Sequence, residues 1–313
     1  MFKGYGGDRD EQGIALSGLR AEKRIVLSGL SDEAGSSLRE QIQAHEELGW
    51  RELEIRTVNG SSIADIEETD FQAIRRDIEA AHMRVTVVSS RIANWERPIT
   101  APFEWDAEEL KRLAARVPAL GTKYIRIMSY PNDGLPESVW RGNVIERIRR
   151  LTEIAADAGL ILLHENCAGW AGASADHALD LVKSIDLPNL RLLFDTGNGI
   201  AYRYDTHEYL KKVLPYVSHV HIKDGIWENE QAVYSLPGEG QSRVRESIRL
   251  LFEHHYSGIF AIEPHLHLIP HLKQQSQTDG GSLKQSYIAY GRRLESLLNE
   301  LQETETQSGG VFV

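Results

Sequence analysis

The sequence predicts a single α/β domain folded as a (β/α)8 TIM barrel. Short apolar runs rich in β-branched residues alternate eight times with amphipathic helical patterns. Gly49, Gly121, Gly159 and Gly258 fall between a helical pattern and the next apolar run, as helix C-cap residues do. No Pro- or Ser-rich linker divides the series, and 313 residues exceed the ~250 that such a barrel typically needs. We therefore expect one uninterrupted barrel.

The elements follow each other in regular order. Residues 1–22 are glycine-rich and charged, and we interpret them as an N-terminal tail or a cap at the barrel bottom. The barrel domain is predicted over 23–302, and residues 303–313 are predicted to be a C-terminal tail. The helical patterns run from LREQIQAHEELG after the first strand to SLKQSYIAYGRRLESLLNEL after the eighth. The predicted strands are Arg24–Gly29, Arg51–Arg56, Arg84–Ser89, Tyr124–Met128, Leu160–Glu165, Leu190–Asp195, Ser218–Lys223 and Gly258–Glu263.

Composition narrows the class of protein. The net charge is −11, from 46 acidic and 35 basic residues, which argues against broad binding of nucleic acid or anionic membranes. Cys167 is the single cysteine, so an intrachain disulfide is excluded and a reducing compartment is expected. We find no apolar run near the ~18 residues of a membrane span and no signal-peptide pattern at the start. These features predict a cytoplasmic protein.

Four polar residues close the last four predicted strands. Glu165, Asp195, His221 and Glu263 end the runs ILLHEN, RLLFDTGN, HVHIKD and IFAIEPH. Barrel active sites lie at the C-terminal ends of the strands, and strands five to eight are neighbours around the barrel. Three carboxylates and one imidazole brought together there form a site for a hard-to-borderline divalent cation. His219 lies deeper on the same strand face as His221 and is predicted to support the site or the core.

The same motifs carry a family resemblance. The ordered set of a strand-five Glu, a strand-six Asp, a strand-seven H-x-K-D and a strand-eight Glu resembles the xylose isomerase-like TIM-barrel superfamily, the sugar phosphate isomerases and epimerases. The resemblance covers about Lys23 to Leu301 and includes the loop P-G-E-G at Pro237–Gly240. It implies that Glu165, Asp195, His221 and Glu263 bind one divalent metal ion, with Mn²⁺ expected and Mg²⁺, Co²⁺ or Zn²⁺ as alternatives. It also implies that Glu165 and Glu263 are the catalytic acid–base pair.

Five further residues are predicted to bind substrate. Lys223 shares the strand face of His221, with an ion pair to a site carboxylate as the alternative, and His265 lies two residues beyond Glu263. Asn198 stands where many relatives carry a histidine, so it keeps hydrogen bonding but not proton transfer. His164 and Trp170 complete the set: His164 is alternatively a buried structural histidine, and Trp170 a loop anchor. Glu54 and Arg126 are expected to form a buried ion pair.

These expectations define a leading function and its competitors. The resemblance implies a metal-dependent isomerase or epimerase of a sugar, keto-sugar or polyol. The runner-up is a lyase of the same superfamily, either a dehydratase of the inosose type or an eliminating deglycosidase of oxidised glycosides. A DNA phosphodiesterase would need a basic groove and several metal ions, and a non-catalytic sugar-binding barrel is the remaining alternative. The expected partner is a small carbohydrate, not nucleic acid or membrane, and a homo-oligomer or a companion subunit is left open.

Overall fold

The computed structural model describes residues 24–266 and 282–308, together with the backbone of short strands at Ile14–Ala15, Leu268–Ile269 and Gln274–Gln275. Most of the predicted N-terminal segment 1–22 lies outside the described residues. The C-terminal helix continues to Ser308, so part of the predicted tail 303–313 is helical.

Eight parallel strands form a nearly closed barrel, which confirms the predicted fold class. The strands are β1 Arg24–Gly29, β2 Glu52–Ile55, β3 Arg84–Ser89, β4 Tyr124–Ser129, β5 Ile161–Gly169, β6 Leu190–Asp195, β7 Val217–Ile222 and β8 Ile259–Ile262. Around the barrel they follow the order β1-β8-β7-β6-β5-β4-β3-β2, and a parallel bridge between Leu30 and Glu54 joins β1 to β2. Neighbouring strands pair in sequence order, as right-handed strand–helix–strand connections require.

Helices surround the strands, and local sequence signals set several of their ends. Ser37 accepts the backbone N–H of Glu40 and completes a capping box at the start of the first helix. Gly49 ends that helix with φ of 74°, which confirms its predicted C-cap role because the left-handed region favours glycine. The helices are α1 Leu38–Leu48, α2 Glu68–Ala80, α3 Phe103–Arg116, α4 Glu137–Asp157, α5 Ala175–Ile185, α6 Asn198–Tyr202, α7 Thr206–Val213, α8 Val244–Glu253 and α9 Leu283–Ser308.

Apolar side chains fill two layers. The larger one lies between the strands and the helices and runs around the whole barrel. Inside the barrel, Val87, Leu163 and Leu193 pack together below the polar residues of the strand ends. These three side chains form an apolar layer beneath the polar residues at the ends of β3, β5 and β6. Within the described chain, no helix is both long and apolar enough to span a membrane.

Candidate metal centre

The four residues predicted as ligands come together at one end of the barrel. Glu165 and Asp195 lie within β5 and at the end of β6, and His221 is the penultimate residue of β7. Glu263 directly follows β8. One ligand atom from each residue lies within 4.8 Å of the others, and all four side chains are buried. The strand ends therefore assemble a compact donor set of three carboxylates and one imidazole.

The His221 ring is held in one orientation by Glu54. The Nε2 atoms of both His221 and His219 lie 3.0 Å from Glu54 Oε2. The Nδ1 atom of His221 faces the carboxylates, 3.2 Å from Glu263 Oε2 and 3.9 Å from Glu165 Oε1. A carboxylate on one ring nitrogen is the usual support for a histidine that binds metal through the other. Glu54 thus leaves Nδ1 of His221 as the ring atom available to a metal ion.

The two carboxylate oxygens of Asp195 have different surroundings. Its Oδ1 accepts the backbone N–H groups of Gly197 and Asn198, both at 2.7 Å. Its buried Oδ2 accepts no hydrogen bond in the described part of the chain, although Lys223 Nζ lies 3.1 Å away. Burial raises the pKa of Asp195 to about 7, with Lys223 opposing and the carboxylates of Glu263 and Glu165 adding to the rise. A buried acceptor without a hydrogen bond, crowded by like charges, fits a bound divalent cation.

Lys223 pairs with the carboxylates of the centre. Its Nζ lies 2.7 Å from Glu263 Oε2 and donates to Asn198 Oδ1 at 3.0 Å. Burial would raise the pKa of Glu263, but Lys223 and the neighbouring histidines hold that pKa well below its usual value. This geometry is the ion pair that the sequence left as the alternative to substrate binding by Lys223.

Asn198 is held by hydrogen bonds to two residues of the candidate centre. Its Nδ2 donates to Glu165 Oε1 at 2.9 Å, while its Oδ1 accepts from Lys223. Arg126 approaches the other oxygen of Glu165, with Nε 3.3 Å from Oε2. The predicted ion pair of Arg126 with Glu54 is wrong in its partner: Ser89 Oγ lies between them, donating to Glu54 at 2.6 Å and accepting from Arg126.

His265 reaches the pocket from the other side of Glu263. Its Nδ1 lies 2.8 Å from Glu33 Oε1, its backbone N–H donates to Glu33 Oε2, and its Nε2 lies 3.8 Å from Glu263 Oε1. Burial and the nearby Lys223 hold the pKa of His265 well below its usual value. Arg56 lies beside the same carboxylates, 3.7 Å from both Glu33 and Glu263. A neutral imidazole at the pocket edge suits hydrogen bonding to an uncharged ligand.

His164 and Trp170 lie away from these contacts. The cross-strand neighbours of His164 are Ile127 and Leu192, which belong to the layer between strands and helices. Burial lowers its pKa to about 3, and neither ring nitrogen has a hydrogen-bond partner among the described residues. Trp170 donates to Glu137 at 2.5 Å and stacks on His177, with ring centroids 4.6 Å apart. Both positions support the structural alternatives stated for these two residues.

Two supporting residues carried signals that the sequence interpretation did not use. Glu33 follows β1 and contacts both the backbone N–H and the ring of His265. It is a polar residue just after a strand, which is the pattern that identified the four candidate ligands. Asp224, in the motif HIKD, accepts the backbone N–H groups of Gly225, Gly238, Gly240 and Ser242. It thereby fixes the P-G-E-G loop beside the centre.

Fold and site together define a TIM-barrel protein with a candidate divalent-metal centre at the C-terminal ends of β5 to β8. The Xylose isomerase-like TIM barrel family matches residues 42–284, and the chain belongs to this family.

Named relatives are similar at low identity. An inosose dehydratase of Clostridium botulinum is 23% identical over 243 residues, covering 68% of this chain and 79% of that protein. The 3-keto-D-glucoside 4-epimerase YcjR of E. coli, in its apo form, has a TM-score of 0.63 at 16% identity, covering 88% of this chain and 98% of that one. A xylose isomerase-like TIM barrel protein from Mycobacterium smegmatis, in complex with magnesium, has a TM-score of 0.60 at 19% identity. The match covers 88% of this chain and 97% of that one. The structural likenesses establish the shared fold.

Proposed function

We propose that the protein is a divalent-metal-dependent isomerase or epimerase that moves a proton next to the carbonyl of a sugar, keto-sugar or polyol. The observation that carries this proposal is the cluster of Glu165, Asp195, His221 and Glu263 within 4.8 Å. Its two glutamates lie on β5 and at the end of β8, with the strands of Asp195 and His221 between them. A ligand held at the centre would therefore meet a carboxylate from each side.

The residues fit a metal ion, and these four would hold it. We favour Mn²⁺ because oxygen donors outnumber the single nitrogen, with Mg²⁺, Co²⁺ and Zn²⁺ as alternatives. When bound, the ion would supply a Lewis acid that polarises the substrate carbonyl and a template for a neighbouring hydroxyl. Glu54 orients His221, and Asn198 holds Glu165, so the ligand positions are fixed before any ion arrives.

The proton transfer is assigned to the two glutamates. One removes the proton from the carbon next to the carbonyl, and the other returns a proton to the substrate. Such positioned acid–base catalysis contributes ~10²–10⁴-fold to the rate. Lys223 and His265 border the same pocket and would form hydrogen bonds with the oxygens of a substrate. Substrate binding by Asn198, and by His164 and Trp170, stays a prediction, as does a cytoplasmic location.

The second candidate is a dehydratase that shares the first step. After the proton leaves, the neighbouring carbon–oxygen bond would break and a water molecule would depart. The curated relative from Clostridium botulinum, of which this chain covers 79%, favours this outcome through its name, inosose dehydratase. Both candidates act on hydroxylated ketones, so they differ in the fate of the enolate and not in its formation.

One experiment separates the candidates. The purified protein, loaded with Mn²⁺ or Mg²⁺, is incubated in D2O with keto-sugars and inososes. Deuterium in the recovered ketone supports the isomerase or epimerase, whereas growth of an enone absorbance supports the dehydratase. Glu263→Gln should reduce either signal about 100-fold or more, while Glu253→Gln, at an exposed position of α8, should leave it unchanged. If no divalent ion binds and no C–H exchange occurs with any of these ketones, the proposal fails.

A further inference from the structure

The ammonium group of Lys223 contacts the same oxygen atoms that the candidate centre offers to a metal ion. Its Nζ lies 2.7 Å from Glu263 Oε2 and 3.1 Å from Asp195 Oδ2. His221 Nδ1, the ring atom available to an ion, faces these two oxygens at 3.2 and 4.0 Å. An ion held by His221 and the ammonium group of Lys223 would therefore need the same two acceptors.

The rest of Lys223 is fixed. Thr196 Oγ1 accepts the backbone N–H of Lys223 at 2.9 Å and donates to its carbonyl oxygen at 2.6 Å. The stem packs on Gly197, where an added Cβ atom would lie 2.6 Å from Cγ of Lys223, so only glycine leaves the stem its space. A change of position is therefore open to the ammonium end of the side chain and not to its backbone.

Two cations cannot share this position without cost. An ammonium group and a divalent ion repel each other, and the repulsion is stronger in a buried site, where the effective dielectric constant is lower than in water. Lys223 is 1% exposed, so water screens its charge little. Its donation to Asn198 Oδ1 at 3.0 Å involves none of the candidate ligands. An ion on Glu263 and Asp195 would push the ammonium group away from those two residues.

A second acceptor lies beside Lys223. The hydroxyl group of Tyr234 is buried and has no hydrogen-bond partner among the described residues, and Lys223 Nζ lies 6.0 Å from the centre of its ring. Tyr130 and Tyr290 carry hydroxyls of the same kind, but their rings pack in the layer between strands and helices. A buried hydroxyl without a partner is rare and needs an explanation. A displaced ammonium group would supply the missing donor.

The ring of Tyr234 is held next to the pocket at the centre. It belongs to the hairpin of residues 224–235, in which Tyr234 lies opposite Gly225. It also meets the ring of His265 edge to face, with centroids 5.2 Å apart. Lys223 and His265 both line the pocket. An ammonium group that turned toward Tyr234 would therefore stay at the edge of this pocket.

We propose that Lys223 competes with the divalent ion for Glu263 and Asp195, and that ion binding turns its ammonium group toward the hydroxyl of Tyr234. Without an ion, the ammonium group offsets the repulsion between the two carboxylates. With an ion, it borders the pocket as a donor released from the ligands. Lys223 thus sets the metal affinity of the centre. This inference rests on the proposed function, because that function places an ion at these residues.

Metal affinity tests the competition without turnover. Dissociation constants for Mn²⁺ are measured with the full-length protein against a chelator of known affinity. Lys223→Met removes the charge and keeps an unbranched side chain, so Mn²⁺ affinity should rise about tenfold or more, since a like charge beside a bound ion weakens binding. Tyr234→Phe removes the second acceptor and should lower Mn²⁺ affinity about fivefold, the worth of one hydrogen bond.

Thermal unfolding gives a second measurement. Without metal, Lys223→Met leaves the buried carboxylates of Asp195 and Glu263 without their cation, so its unfolding midpoint should fall below that of the native protein. Added Mn²⁺ should then raise the midpoint of this variant more than it raises the native one. Tyr234→Phe should keep the native midpoint without metal, because its hydroxyl has no partner to lose. A lower midpoint would mean that the hydroxyl binds the protein itself, which contradicts the proposal.

Matched controls make the same changes elsewhere. Lys212→Met removes a lysine of α7 that pairs with Asp176 at the surface, and Tyr130→Phe changes a buried ring that lies against Arg147 of α4. Both should keep the native Mn²⁺ affinity. Equal changes in the controls, or no gain of affinity in Lys223→Met, overturn the competition. Unchanged affinity in Tyr234→Phe overturns the turn toward the tyrosine, and this variant decides the test if Lys223→Met does not fold.

The outcomes separate this inference from the proposed function. Mn²⁺ binding and C–H exchange by the native protein, with no gain of affinity in Lys223→Met, overturn the competition alone. A gain in Lys223→Met without exchange on any ketone overturns the proposed function alone. If neither the native protein nor Lys223→Met binds Mn²⁺ or another divalent ion, both fail.

Discussion

Glu54→Gln is expected to weaken metal binding without removing a ligand. In the native protein, Glu54 Oε2 lies 3.0 Å from Nε2 of both His219 and His221, and Oε1 accepts from Ser89 at 2.6 Å. The glutamine side chain has one oxygen and one NH2 group, so it cannot accept from all three donors. Burial opposes ionisation, yet the two histidines hold the pKa of Glu54 below its ordinary value, so the native group is a carboxylate. The substitution removes that charge and releases the orientation of the His221 ring.

The expected loss of metal affinity follows from the contact of Glu54 with the far ring nitrogen of His221, the candidate ligand. Loss of the carboxylate behind a metal-binding histidine typically costs about 10- to 100-fold in metal affinity, or about 1.4–2.7 kcal/mol. The measurement is a competition between the protein and a chelator of known Mn²⁺ affinity at pH 7.5. Glu52→Gln is the matched control, because Glu52 lies two residues before Glu54 on the same strand but pairs with Arg84 and not with the histidines. Its Mn²⁺ affinity should stay within about twofold of the native value.

Two results would refute this reasoning. If Glu54→Gln binds Mn²⁺ as tightly as the native protein, His221 is not a ligand held by Glu54. If Glu52→Gln loses as much affinity as Glu54→Gln, the loss reflects damage to β2 and not the orientation of the ring. Thermal unfolding of both variants, recorded without metal, measures that damage directly.

Two further predictions concern stability. Burial lowers the pKa of His45 from 6.5 to about 4, so the unfolded chain takes up the proton first and stability falls below about pH 6.5, by about 2 kcal/mol at pH 5. Urea unfolding at pH 7 and pH 5 should show a smaller difference for His45→Gln than for the exposed control His82→Gln, and equal differences would contradict the assignment. Asp224→Asn places an NH2 group among four backbone donors and should cost about 2 kcal/mol. Hydrogen exchange should rise at Gly238 and Gly240, and unchanged protection there would show that Asp224 does not hold the loop.

The sequence predicted the barrel and the four residues that cluster at its strand ends, because both depend on local pattern. Apolar runs of strand length identify the strands, and a polar residue that ends such a run must lie at the rim. The hydrogen-bond partners of those residues come from distant parts of the chain, so no local sequence pattern predicts them. Glu54 and His221 are 167 residues apart, and their contact required closure of the barrel from β2 to β7. The wrong partner predicted for Arg126 has the same origin, because Ser89 on the intervening strand separates it from Glu54.

Strand length limited the sequence prediction at one further place. β5 was expected to end at Glu165 but continues to Gly169, which brings Cys167 into a small apolar cluster with Met128 and Ala168. Trp170 follows the extended strand and turns toward Glu137 and His177 instead of a ligand. An aromatic residue near a strand end fits either a ring platform or an anchor, and only its neighbours distinguish the two.

The layers of the barrel explain how one end can hold so much charge. Val87, Leu163 and Leu193 place an apolar layer beneath the candidate centre, and low polarity strengthens the electrostatic contacts beside it. Each ligand carboxylate then has its own donor: Asn198 for Glu165, Lys223 for Glu263, and the backbone of α6 for Asp195. The donors of Glu165 and Glu263 hold the same oxygens that approach His221, and Asp195 keeps its Oδ2 without a hydrogen bond in the described part of the chain. Because the arrangement is set before any ligand binds, charge that develops there during a reaction would be stabilised without reorganisation, which is the largest contribution an active site can make.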